Sequence, residues 1–118
     1  MNIVSTITHE SDVQEFYIMA FDKKYEISIF PKGKSFEGDV VYSEGIDVFL
    51  VENKDPSPEV VLGKCIDEVM IKLKNEFVFD EDKHEISFVI DGACPHIKED
   101  EAKTIVQSIT QNAIVSKI

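Results

Sequence analysis

EFYIMAFDKKYEISIF, Glu15 to Phe30, contains two aromatic and β-branched runs, EFYIMAF and YEISIF. Asp22, Lys23 and Lys24 separate them, a polar interval of hairpin-loop length. In the second run Tyr25, Ile27 and Ile29 alternate with Glu26 and Ser28, the period-two pattern of a strand with one buried face. A lone hairpin is marginal in water, so the rest of the chain must cover that face.

Upstream, residues 1–14 read as a short strand and a turn: Ile3, Val4, Thr6 and Ile7 suit a pleat, and Ser11 to Gln14 has capping-box spacing. Downstream, Pro31, Gly33 and Gly38 interrupt the pattern across PKGKSFEG. DVVYS and IDVFLVE then form a second strand pair around Glu44 and Gly45. Asn53 to Pro58 closes this β half, with Ser57 as an N-cap hydroxyl before a proline at the first helical position. Leu62, Ile66, Val69, Leu73 and Phe77 recur at helical spacing, with Cys65 and Met70 widening the stripe, which predicts an amphipathic helix over residues 58–76. Lys64, Glu68 and Lys72 follow one another by single turns on its wet side.

FVF and EISFVID, on either side of the acidic loop Asp80 to His84, predict a further hairpin or a single strand. After a turn from Asp91 to Pro95, the acids Glu99, Asp100 and Glu101 open a second helix. Its stripe of Ala102, Ile105, Val106, Ile109 and Ala113 carries it to the end of the chain. A run of strands followed by helix, strand and helix predicts one α+β domain over residues 1–118. Its sheet is antiparallel or mixed, with about five strands and both helices packed on one face.

Charge narrows the function classes. The 118 residues hold 23 acids against 12 basic residues, every one a lysine, for a net charge of −11. Such a surface repels phosphate and attracts basic proteins. Backbone recognition of nucleic acid needs Lys and Arg, and base reading leans on Arg, so nucleic acid is disfavoured as a ligand. Tyr25, Tyr42 and Phe49 as a base-stacking platform are weighed against ordinary sheet packing, which is favoured. With 43% hydrophobic residues the acid sits on a folded scaffold rather than a disordered tail. The N-terminal MNIVSTITHESD lacks a basic start and an apolar run, and no stretch is long and apolar enough to span a bilayer. A cytoplasmic protein away from membranes is expected, with Cys65 and Cys94 as free thiols.

Catalytic and metal signatures are weak. Asp80-Glu81-Asp82 begins like a calcium loop, but the glycine and glutamate that close such a loop do not follow. Cys94-Pro95-His96 offers a thiol beside an imidazole, but His9, Cys65 and His84 are too scattered to complete a zinc site. Three acids at the nearby helix start oppose a thiolate. Phosphate-binding glycine loops and a nucleophile elbow are absent. No catalytic residue, metal or cofactor is therefore assigned.

Two acidic clusters remain as candidate partner-binding residues, Glu37, Asp39, Glu44 and Asp47 in one and Asp80, Glu81, Asp82 and Glu85 in the other. They favour a small acidic protein without enzymatic activity that masks a basic protein. An immunity protein against a nuclease-type toxin or a nucleic-acid-mimic inhibitor is the concrete form. An acidic secretion chaperone or assembly adaptor is the alternative, and a small enzyme using carboxylates or Cys94 comes third.

Overall fold

The computed structural model describes residues 12–44, 47–77, 79–80 and 83–118; the strand and turn expected within residues 1–11 lie outside them. Strands β1 (Gln14–Ala20), β2 (Lys23–Lys32), β3 (Ser35–Glu44) and β4 (Asp47–Asp55) precede helix α1 (Pro58–Phe77). Then come β5 (Ile86–Asp91), α2 (Glu99–Ile109) and β6 (Ala113–Lys117). The strands form one mixed sheet in the order β4-β3-β2-β1-β5-β6, antiparallel throughout except for the parallel β5–β6 pair. The fold is α+β, with both helices packed against the sheet.

Phe16 and Ile18 of β1, Tyr25, Ile27 and Ile29 of β2, and Ile86, Phe88 and Ile90 of β5 are buried. They meet Leu62, Ile66, Val69 and Leu73, the stripe predicted for α1, all of them buried. Ser57 caps that helix as expected, its Oγ accepting the Val60 N–H at 3.4 Å. Tyr25 and Tyr42 stack within this core at 4.6 Å between ring centroids, so they are packing residues and not a platform for bases.

The turns are tighter than the sequence suggests. Phe21 and Asp22 alone connect β1 to β2, both at positive φ, 53° and 63°. Lys23 and Lys24, expected in the loop, are strand residues paired with Ala20 and Met19. A two-residue loop of this kind matches the right-handed twist of its strands, which favours it over a longer polar loop. Pro31 and Lys32 likewise pair with Phe36 and Ser35, leaving Gly33 and Lys34 as the turn.

Gly38 is therefore mid-strand rather than a loop residue. A Cβ there would run into Val61 Cγ1 and lie 2.8 Å from Cys65 Sγ of α1, so the glycine lets the helix settle directly on β3.

Phe77 ends α1 and Phe79 belongs to no strand, so of the hairpin and the single strand expected here the structure has the single strand, β5. One further expectation changes. The second helix stops at Ile109, Thr110 turns extended (φ −139°, ψ 129°), and Ala113 opens β6. Among the described residues the sheet thus has six strands, where about five were expected. Ala113 continues the apolar stripe of α2, but Ile114 and Val115 are β-branched and Val115 packs on the core as a strand residue.

The connection from β5 to α2 is held by a buried amide. Gln14 Nε2 donates to the Ile97 carbonyl at 2.7 Å, and its Oε1 accepts the N–H groups of Ile97 and His96 at 2.8 and 3.1 Å. With all these bonds made, the side chain sits fully buried without an unsatisfied end.

Candidate interaction surface

Because α1 and α2 occupy one face of the sheet, alternate residues of each strand point to the opposite face, which no described helix or strand covers and which is the open face among the described residues. The pairing registers arrange these residues in rows across the strands. One row runs Asp39, Ser28, Glu15, Asp91 over β3, β2, β1 and β5, and the backbone of Glu52 on β4 extends it beyond Asp39. The next row runs Val41, Glu26, Tyr17, Val89 over the same strands. Neighbours within a row sit at the strand spacing of about 4.8 Å. The row with three carboxylates lies two residues along the strands, about 6.8 Å, from one in which Val41, Tyr17 and Val89 surround Glu26.

Tyr17 ties the rows together. Its Oη lies 2.8 Å from Asp91 Oδ2 and 3.2 Å from Glu15 Oε2, so one phenol proton faces two acceptors. The hydrogen bond to Asp91, then desolvation, then Glu15 hold the phenol protonated and push its pKa well above the usual tyrosine value. Lys24 Nζ sits 4.2 Å over the same ring and 3.9 Å from Glu26. The surface is built to accept hydrogen bonds from cationic groups, since ionised carboxylates are acceptors only.

Of the acids picked out from sequence, Glu37 and Asp39 lie on this face, and Glu37 is only 15% exposed, with Lys32 Nζ 3.4 Å away. Glu44 and Asp47 face each other by backbone register where β3 turns into β4, at the opposite end of β3 from Glu37. The first sequence cluster is thus divided between the open face and a strand end. In the second, Asp80 begins a turn in which its carbonyl accepts from Lys83 and His84 at 3.0 and 2.8 Å. Glu85 is exposed just before β5, and Glu81 and Asp82 lie outside the described residues.

Glu15, Tyr17 and Asp91 were not singled out from sequence. Their outward position follows from alternation, but their meeting depends on β1 pairing with β5 across most of the chain.

The Cys94 and His96 pair is occupied structurally. His96 Nε2–H donates to the Asp12 carbonyl at 2.7 Å and its ring meets Phe36 edge-on at 5.0 Å. Cys94 packs half-buried against the core, and Cys65 is buried within it; both are free thiols. Among the described residues no three His, Cys, Asp or Glu side chains converge as metal ligands would, and no helix is long and apolar enough to cross a membrane. No family model, curated protein or solved structure matches the chain.

Proposed function

We propose that this chain is a small acidic binding protein that works without catalysis, in the cytoplasm, by presenting the open face of its sheet to a basic protein. The observation that carries this reading is the row Asp39, Ser28, Glu15, Asp91, with Tyr17 hydrogen-bonded within it. Carboxylates held on a sheet need little ordering on binding, which favours complementary contact with Lys and Arg side chains. An immunity protein against a nuclease-type toxin, or an inhibitor that occupies the phosphate-binding positions of a nucleic-acid-binding protein, is the form we favour.

A second reading, an acidic secretion chaperone or adaptor, draws on a separate observation. Met19 and Ile114 are 39% and 55% exposed and flank Ser87 on the same face, leaving an apolar margin beside the carboxylates.

An oligo-arginine peptide tests the leading reading by fluorescence anisotropy and amide chemical-shift mapping. The expected shifts concentrate on Glu15, Tyr17, Asp39 and Asp91. Glu15→Gln with Asp91→Asn should weaken binding roughly tenfold at low salt, whereas Asp80→Asn with Glu85→Gln should not. Shifts spread evenly over the surface, or centred on the turn at Asp80, would overturn the assignment of the open face.

A further inference from the structure

Strand β6 has, among the described residues, a single neighbour, β5. The Asn112 carbonyl accepts from Ile86, the Ile118 N–H donates to Ile90, and the Ile118 carbonyl accepts from Gly92. In a parallel pair, alternate residues of a strand spend both backbone groups on the same neighbour. Asn112, Ile114, Ser116 and Ile118 are thus committed to β5, and Ala113, Val115 and Lys117 point their N–H and C=O groups away from it. The outward groups are symmetric about Val115.

The edge also has unusual chemistry for this molecule. All 23 acids precede Ala102, and residues 102–118 contain Lys103 and Lys117 and no acid. The opposite edge, β4, carries Asp47, Glu52, Lys54 and Asp55, the kind of charge that keeps edge strands from pairing. On β6 the one charge is Lys117, whose Nζ lies 3.7 Å from Glu99 of its own chain. Beside the strand runs a groove of about 450 Å³ lined by Glu99, Asp100, Lys103, Val115 and Ser116, which leaves room for the side chains of a facing strand.

We propose that β6 joins two copies of this chain, edge to edge and antiparallel, about a two-fold axis at Val115. In that register Val115 faces Val115 of the second copy, and Ala113 faces its Lys117. Every outward N–H and C=O of the three residues then finds a partner. Ile114 comes opposite Ser116, and no like charges face each other. The two sheets become continuous, with the helices of both copies on one side and both open faces on the other.

Sedimentation equilibrium over a roughly hundredfold range of protein concentration is expected to show a monomer–dimer equilibrium. Dimerisation should strengthen as salt screens the repulsion between two chains of −11 each. Val115→Pro removes an outward N–H and leaves the β5 bonds intact. It should raise the dimer dissociation constant by roughly tenfold or more with the circular dichroism spectrum unchanged.

Crosslinking reads the register independently of the proline variant. In a Cys94→Ser background, Val115→Cys places the two Cα atoms about 5.5 Å apart and should oxidise to a covalent dimer. Lys117→Cys, roughly 13 Å from its own equivalent, should not. A monomer at every concentration, a dimer indifferent to Val115→Pro, equal crosslinking at both positions, or an open-ended polymer from β6 pairing on β4 would each overturn the proposal.

Discussion

Gly38 shows how one residue sets the distance between layers. With Val61 and Cys65 pressed against its backbone, a methyl group at this position has nowhere to go except by lifting α1 or displacing both side chains. Gly38→Ala should cost about 1–3 kcal/mol in urea denaturation, and combining it with Val61→Ala should return part of that loss. Titration adds a second effect at the same place. Burial pushes the Cys65 thiol up to about 11, against the opposing hydrogen bond from Asn53, and pushes the Tyr25 phenol up to about 12. Both groups stay protonated in the folded chain where the unfolded chain already ionises, so the fold binds more protons there and loses stability as pH rises. The contribution of Cys65 is complete below about pH 9 and declines towards pH 11. Urea midpoints measured across that window should fall less steeply in Cys65→Ala than in the parent.

At the scale of the element, α1 is the helix on which the sheet depends. Its apolar stripe covers β2, β3 and β4, and Ile66 sits in the middle of that stripe, fully buried. Ile66→Asp places an unpaired carboxylate there at a cost of several kcal/mol, comparable with the whole stability of a domain this size, about 5–15 kcal/mol. Loss of the cooperative melting transition is the expected result, and an unchanged melting temperature would contradict the facing of the helix. Lys64 and Lys72 on the wet side meet Asp55 at 3.7 Å and Glu76 at 2.6 Å, and such exposed pairs add little by comparison. Helix α2 and β6 show where an element boundary escapes periodicity. Ala113 suits the helical stripe, and only the pairing of Ile86 with Ala113 and Phe88 with Val115 draws the chain out into a strand.

Across the whole molecule, the asymmetry of charge gives the two proposed associations opposite responses to salt. Binding of a basic partner to the open face should weaken as the Debye length shrinks from roughly 30 Å at 0.01 M to 8 Å at 0.15 M, whereas pairing of two like-charged chains through β6 should strengthen. The sequence by itself determined the α+β class, the first hairpin, the extent and buried face of α1, the start of α2 and the net charge. These follow from periodicities, caps and composition that act within a few residues of one another. Tertiary structure alone decided that Gly38 belongs mid-strand beneath a helix, that residues 113–117 leave the helical pattern for the sheet edge, and that Tyr17 meets Glu15 and Asp91. Each of those depends on which strands pair, and pairing is set by burying the whole apolar surface at once, a contest between distant segments that no local window contains.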